Sequence, residues 1–371
     1  MIESVASHHP PMHPSPTTLD AAARQRLQSA RVLLVGVGGL GSPAALYLAA
    51  AGVGAIVLVD DDRVDESNLQ RQVIFDTADV GQPKAEAAAA RLRVRHPDLR
   101  VEPIVCRLDE TNARQLVAGV DLVVDGADNF ATRYLVNDAC VLERRPNVFG
   151  SVSQFDGQVA VFAAPGGPCY RCLHPDPPPD GLILNCADAG VLGVLPGVIG
   201  ALQAVEAVKI ITGVGAPLVG RLLTYDAWRM RARDIVLPRD PACPACGARP
   251  TITTLEAVQA SCATSMDEET TMTAEELVEW REREVPHVLI DVREPSEHAV
   301  ERIERATLMP LGSLASMIEA LPRDRPVVVH CRTGGRSARA VAMLRAKGID
   351  ARNLAGGIEA WRRAGAEKIE R

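Results

Sequence analysis

Arg31-Val-Leu-Leu-Val-Gly36-Val-Gly38-Gly39-Leu-Gly41-Ser-Pro-Ala-Ala-Leu-Tyr-Leu-Ala-Ala-Ala-Gly52-Val-Gly-Ala55-Ile-Val-Leu-Val-Asp60 decides the fold of this 371-residue chain. Residues 31–35 are an aliphatic run of the kind that fills a strand buried on both faces. A glycine turn follows, then an alanine-rich helical stretch from Ser42 to Gly52. Ala55 to Asp60 is a second aliphatic run. Strand, turn, helix and strand make a βαβ unit, so the fold class is α/β with a parallel sheet. Gly36-x-Gly38-x-x-Gly41 sits between strand and helix, where glycines let the backbone approach a phosphate. The helix N-terminus there offers free N–H groups and the positive end of its dipole. Asp60 closes the second strand, where an acidic side chain can take ribose hydroxyls. Alone, this pattern reads as a dinucleotide-binding enzyme, or as a tight packing turn.

Outward from that unit the α/β pattern continues. Strands are expected at Val101–Cys106, Asp121–Asp125, Gln158–Ala163 and 220–226, and helices at Lys84–Arg95 and 197–212. The polar stretch 251–272 reads as a linker. A smaller α/β pattern follows it, with strands His287–Asp291 and Pro326–His330, a helix Ser337–Ala346 and Gly348 as its C-cap. The organisation expected is a flexible tail (1–30), a first domain (31–250), the linker, and a second domain (273–371), as the chain is too long for one core.

Composition excludes several classes. The net charge of -7 carries no basic surplus for nucleic acid. The uncharged run Ala189–Val205 is broken by Pro196 and glycines and falls short of the ~20 residues of a membrane span, so it reads as buried. The N-terminus, with His8, His9 and His13, has no basic start or apolar stretch and reads as a solvated tail rather than a signal peptide. Nine cysteines with two Cys-x-x-Cys pairs then point to metal ligation and reactive thiols in the cytoplasm.

The residues beyond the glycine turn argue against NAD. Ser67-Asn68-Leu69-Gln70-Arg71, Gly81-Gln-Pro-Lys84 and Asp125-Gly-Ala-Asp128-Asn129 supply two cations, amides and a carboxylate. That set suits ATP with Mg²⁺: cations neutralise transferring phosphates and a carboxylate holds the metal. Taken singly, each charge is as well explained by a solvated salt bridge. Cys169-Tyr-Arg-Cys172 and Cys243-Pro-Ala-Cys246 are two knuckles whose four thiolates suit a closed tetrahedral Zn²⁺ site. Cys106, Cys140 and Cys262 read as packing or surface thiols. Strand 327–330 runs into Cys331-Arg332-Thr333-Gly334-Gly335-Arg336-Ser337 and a helix. A cysteine over a helix N-terminus gains from the dipole and backbone N–H donors, which stabilise a thiolate or persulfide anion. Gly334 and Gly335 let the loop curl inward, and Arg332 and Arg336 add positive charge.

These motifs, in this order from Arg31 to Gly247, resemble the adenylyltransferases that activate molybdopterin-synthase and thiamine sulfur carriers, bacterial relatives of the ubiquitin-activating enzymes. The resemblance implies a Rossmann-like ATP-binding domain with a zinc site on the same four cysteines. It implies that Gly39 and its loop (Gly36, Gly38, Gly41) contact ATP and that Asp60 holds the ribose. Asn68 and Arg71, in the stretch with Ser67, Leu69 and Gln70, hold phosphates, and Lys84 stabilises developing charge. Asp128, beside Asn129, binds Mg²⁺. The reaction implied is attack by the C-terminal glycine carboxylate of a small ubiquitin-like carrier on the α-phosphate of ATP. A homodimer is also implied. Cys186 stands where related ubiquitin-activating enzymes carry a nucleophilic cysteine; a small buried residue is the other reading. The family has an Arg-Tyr-x-Arg-Gln-like stretch before the first strand whose arginine reaches the partner subunit's ATP site. Here that region reads His8-His-Pro-Pro-Met-His-Pro14, with Arg24 and Arg26 the nearest cations, so slow adenylation is expected.

From Thr273 onward the chain resembles a single-domain rhodanese, in Leu289-Ile-Asp-Val-Arg-Glu294, the Cys331 loop and Leu354-Ala-Gly-Gly-Ile-Glu-Ala-Trp361. Related phosphatases have a loop one residue longer. The implied activity is sulfur transfer from a Cys331 persulfide, loaded by a cysteine desulfurase or thiosulfate, to the activated carrier. Two other readings stand beside this one. A carrier-binding rhodanese that does not adenylate would bind the carrier without ATP turnover. An NAD-dependent oxidoreductase needs an acid–base group near a nicotinamide, and the sequence offers no convincing one.

Overall fold

The computed structural model describes residues 19–177, 190–255, 270–332, 334–364 and 369–370. They divide into two compact units, one N-terminal and one C-terminal.

In the first unit an eight-stranded sheet has the order β3-β2-β1-β4-β5-β6-β7-β8. The strands are β1 (Arg31–Val35), β2 (Ala55–Val59), β3 (Arg100–Ile104), β4 (Leu122–Asp125), β5 (Asn147–Ser153), β6 (Asp156–Phe162), β7 (Arg221–Asp226) and β8 (Arg231–Val236). β3 to β5 run parallel, and β6 to β8 extend the sheet antiparallel. The helices are α1 (Ala21–Ser29), α2 (Gly41–Ala51), α3 (Lys84–Arg95), α4 (Ala113–Ala118), α5 (Phe130–Glu143), α6 (Tyr170–Leu173) and α7 (Leu195–Thr212). Leu27, Leu48, Leu92 and Ala204 from α1, α2, α3 and α7 pack on one face of the sheet. Val117 and Val136 from α4 and α5 pack on the other. Cover on both faces is why all five residues of β2 are buried. The outermost strand, β8, is exposed along its whole length.

The expected tail ends before residue 30. Residues 21–29 fold as α1 because Asp20 caps the helix, accepting the Ala23 N–H at 2.7 Å, and Ala23 and Leu27 enter the core. α7 is apolar and long enough to cross a membrane by length and composition, but half of it is buried inside this unit.

The second unit holds a five-stranded parallel sheet ordered β12-β10-β13-β14-β9. Its strands are β9 (Thr271–Met272), β10 (Val288–Asp291), β12 (Thr307–Leu308), β13 (Val327–His330) and β14 (Ala351–Leu354); β11 (Arg302–Ile303) and β15 (Ile369–Glu370) form a separate pair. α8 (Ala274–Glu282), α9 (Pro295–Val300), α10 (Leu314–Met317), α11 (Gly335–Arg345) and α12 (Gly357–Arg363) surround it. The expected linker thus ends inside a strand: Thr271 and Met272 pair with Asn353 and Leu354 at the sheet edge. β13, all four residues buried, is the central strand and ends at Cys331.

Candidate functional site

The parallel register brings the C-terminal ends of β2, β1 and β4 side by side, the place where open α/β sheets bind ligands. The glycine turn follows β1. Gly41 has to be glycine, because a Cβ there would lie 2.0 Å from the Gly36 carbonyl oxygen. Asp60, at the end of β2, accepts the Val37 N–H at 2.7 Å with one oxygen and the Asp62 N–H at 2.9 Å with the other. Burial raises its pKa, against the opposing pull of the Val37 N–H and Lys84. With up to four acceptor positions on a carboxylate, these two bonds still leave Asp60 capacity for a ribose hydroxyl.

Ser67 and Asn68 lie in a short 3₁₀ turn capped by Asp65. Asn68 donates to Ser67 Oγ at 3.2 Å and accepts from Gln72 Nε2 at 3.2 Å. A methyl on Gly39 would sit 3.0 Å from Pro196 and 3.7 Å from Arg71 Cδ, and one on Gly38 would sit 3.7 Å from Gln72. The structure therefore brings Arg71, Gln72 and the start of α7 to the glycine turn. Leu69 packs against the core, and Gln70 approaches Gly193 instead. Lys84 opens α3 with its side chain only 6% exposed and is paired with the exposed Asp62 at 2.7 Å. Arg24 donates to the Leu19 carbonyl and Arg26 to the Thr212 carbonyl, so both serve to anchor α1. His8 to Pro14 lie outside the described residues, as do Cys186 and Thr333.

β4 ends in the turn that carries Asp128 and Asn129. Asp128 is exposed. Asn129 caps α5 by accepting the Thr132 N–H at 2.9 Å. Asp125 is fully buried and accepts the Ala127 N–H at 2.9 Å. Burial pushes its pKa up to about 6, with Arg133 and that N–H pulling the other way.

The four cysteine sulfurs converge within 4.8 Å of one another. Cys169 and Cys243 lie 3.5 Å apart and Cys172 and Cys246 3.4 Å apart, although 74 residues separate each pair. A tetrahedral thiolate site has sulfur–sulfur edges of about 3.8 Å, so the cluster could hold a metal with little adjustment. Burial, then the neighbouring sulfurs, raises the Cys169 pKa, and burial with Cys172 pushes Cys246 up to about 11. Against the opposing effect of burial, the backbone N–H groups of Cys246 and Ala245 shift Cys243 the other way, downward. A cation among the four sulfurs would favour their thiolate forms. Arg171, inside the first knuckle, is paired with the buried Asp138 at 2.8 Å.

In the second unit Cys331 is 1% exposed at the mouth of α11. Its sulfur accepts the Gly334 N–H at 3.1 Å and the Ser337 hydroxyl at 3.4 Å. Gly334 sits at φ +107°, a conformation that favours glycine and turns its N–H onto the sulfur. Both arginines expected to add positive charge stand in ion pairs. Arg336 is buried in a two-pronged pair with Glu297 at 2.6 and 2.7 Å, and Arg332 is paired with Glu359 at 2.7 Å. Beneath the loop, Asp291 accepts from Arg293 at 2.7 Å and contacts His298 Nδ1 at 2.9 Å. His330 is held at about 4, mainly by burial and against the pull of Asp291. Glu297, Asp62, Gln72 and Arg133 are not singled out by the sequence, and Glu359 only as part of the Leu354–Trp361 stretch, since each acts through a partner that only folding reveals; Arg133, one helical turn past Asn129, comes nearest to being found.

Residues 15–245 match the family model described as the ThiF family, and residues 273–364 match the rhodanese-like domain. A probable adenylyltransferase/sulfurtransferase MoeZ of Mycobacterium tuberculosis is 45% identical over 92% of this chain and 89% of that protein. A sulfur carrier protein adenylyltransferase of Thermus thermophilus is 52% identical over 64% of this chain and 90% of its own length. Among solved structures, E. coli MccB in complex with MccA-N7isoASN is 25% identical with a TM-score of 0.56, across 61% of this chain and 69% of that one.

Proposed function

The chain belongs to the ThiF family and carries a rhodanese-like domain behind it, and from that premise we propose that it is an adenylyltransferase and sulfurtransferase acting on a small ubiquitin-like sulfur carrier that ends in Gly-Gly. In the first half-reaction a carboxylate oxygen of the terminal glycine attacks the α-phosphorus of ATP. The bond to the bridging oxygen breaks and pyrophosphate leaves, giving an acyl adenylate. The glycine turn cradles phosphate with backbone N–H groups, Asp60 takes the ribose, and Asn68 and Arg71 meet phosphate oxygens. Lys84 exchanges Asp62 for the developing charge. Asp128 would hold the Mg²⁺ of Mg·ATP, which would supply charge neutralisation at the phosphates. Cys169, Cys172, Cys243 and Cys246 would hold Zn²⁺, which would tie residues 169–172 to 243–246 as a structural site.

In the second half-reaction the outer sulfur of the Cys331 persulfide attacks the acyl carbon and AMP leaves. The acyl disulfide so formed needs a second thiol. Attack of that thiol on the Cys331 sulfur expels the thiocarboxylate and leaves a disulfide at Cys331. Cys186 is one candidate and an external thiol the other. A cytoplasmic location fits a reaction that uses ATP and reduced thiols. A homodimer is supported by the apolar stripe that Val194, Val198 and Val205 expose along α7.

The observation that carries this reading is one chain holding both a nucleotide turn at the C-terminal end of an interior strand of its first sheet and a sulfur in a hydrogen-bonded cradle at the end of the central strand of its second. The test is incubation with a Gly-Gly carrier, Mg·ATP, thiosulfate and a thiol reductant, followed by intact mass of the carrier. Adenylate and thiocarboxylate masses are expected, and a carrier unchanged after ATP is supplied overturns the reading.

A further inference from the structure

Asp128 and Asn129 stand at the end of a turn with no secondary structure of its own, so something has to fix its backbone. Three groups do. Asp125 accepts the Ala127 N–H at 2.9 Å. The Gln203 amide donates to the Asp125 carbonyl at 2.7 Å. Arg133 closes the turn from the far side: Nε and Nη2 both donate to the Ala127 carbonyl, at 3.2 and 3.0 Å, and Nη1 donates to Ser151 Oγ on β5 at 2.9 Å. Ala127, the residue preceding Asp128, is thus held at both its N–H and its carbonyl.

Arg133 itself has little freedom. It is 6% exposed, and its guanidinium lies 5.2 Å from the centre of the Phe149 ring and close enough to the Tyr170 side chain, between the two cysteines of the first knuckle, to act on it electrostatically. A guanidinium suits this place, because a planar fork can bind one carbonyl with two N–H groups and still reach a third partner; an ammonium cannot span them. A cation buried only for packing would have no reason to double-bond the carbonyl of the ligand-bearing turn.

We propose that Arg133 is a positioning residue for adenylation, holding the 125–129 turn so that the Asp128 carboxylate meets the metal ion of Mg·ATP without reordering the backbone. This rests on the proposed function and names a residue outside the nucleotide motifs. Flexible loops lose affinity to the ordering they undergo on binding, and a turn fixed in advance avoids that loss.

The test compares the full-length protein with Arg133→Lys and Arg133→Met. Nucleotide affinity is measured by calorimetry with and without added Mg²⁺, and amide hydrogen exchange across residues 125–129 is measured without nucleotide. Arg133→Met should weaken Mg·ATP binding about 10- to 100-fold and Arg133→Lys about 3- to 10-fold. Both should change affinity for metal-free ATP far less, and both should speed exchange at 126–129. Loss of the metal-dependent component alone is what a general packing defect would not produce. If Arg133→Met fails to fold, Arg133→Lys decides: unchanged Mg·ATP affinity and unchanged exchange in that variant overturn the proposal. Wild-type protein that binds no Mg·ATP brings down the proposed function and this inference together, whereas wild-type binding matched by both variants sinks the inference alone.

Discussion

The two anion sites of this chain are built on opposite plans. At Cys331 the stabilising donors, the Gly334 N–H and the Ser337 hydroxyl, already point at the sulfur, and both neighbouring arginines are neutralised by glutamates. At the glycine turn the charged groups are engaged with one another: Lys84 with Asp62, and Asp60 with two backbone N–H groups. The first site presents one backbone N–H and one hydroxyl to the sulfur and needs no rearrangement to do so. The second has to exchange internal partners for phosphates as substrate arrives. A covalent sulfur anion that must survive until a partner docks suits a fixed cradle. A triphosphate that enters and leaves each turnover suits exchangeable ion pairs, which contribute little in the empty state.

The contrast is broken or sharpened by four changes. The largest effect is expected of Cys331→Ala, which should abolish sulfur transfer from thiosulfate while ATP–pyrophosphate exchange continues. Transfer retained in that variant would remove the persulfide site from the scheme. Next, a chelator strong enough to strip the four-cysteine cluster should lower the melting temperature of the first unit sharply, followed at Trp228; an apo protein of unchanged stability would deny the metal a structural role. Lys84→Met should slow ATP–pyrophosphate exchange roughly 100-fold or more, whereas Asp62→Asn, which only releases the lysine, should change it less than about tenfold. Equal losses in the two would mean that the ion pair, and not the exchangeable cation, is what matters.

The smallest effect concerns pH. His330 is held at about 4 in the folded chain against an ordinary 6.5, so the folded state binds its proton later than the unfolded state. The second unit should lose stability as pH falls from about 6.5 toward 4, by at most about 3 kcal/mol. Asp291, held at about 2, contributes above its ordinary 3.8 and loses that contribution only in stronger acid. Urea unfolding followed at Trp280 and Trp361, at pH 7 and 4.5, checks this. A His330→Gln variant with the same acid loss as wild type would assign it elsewhere.

Much of this was legible because local chemistry dictates it. Residues 31–60 announce strand, phosphate turn and strand; helix α3 begins at Lys84 and ends at Arg95 as its pattern required. The cysteine spacing foretold a meeting across 74 residues. What stayed hidden depends on contacts that only folding makes. Glu297 finds Arg336 from 39 positions away and Glu359 finds Arg332 from 27. β6 pairs with β7 although residues 163–220, with α6 and α7, lie between them, a pairing that the hydrophobic pattern does not encode. α1 escaped notice because only Ala23 and Leu27 along it are buried, too few to show a period.

The exposed strand β8 has a consequence of its own. A sheet that grows antiparallel from β5 must stop somewhere, and its last strand offers unpaired N–H and C=O groups to any extended chain it meets. Arg231 and Arg233 alternate along β8, and Asp234 is tied back to Arg221 on β7. Such charges make flat pairing with a second copy unfavourable, and the Ile235-Val236 end lies just beyond them. Trading either arginine for a β-branched residue would turn a guarded border into a template for fibres.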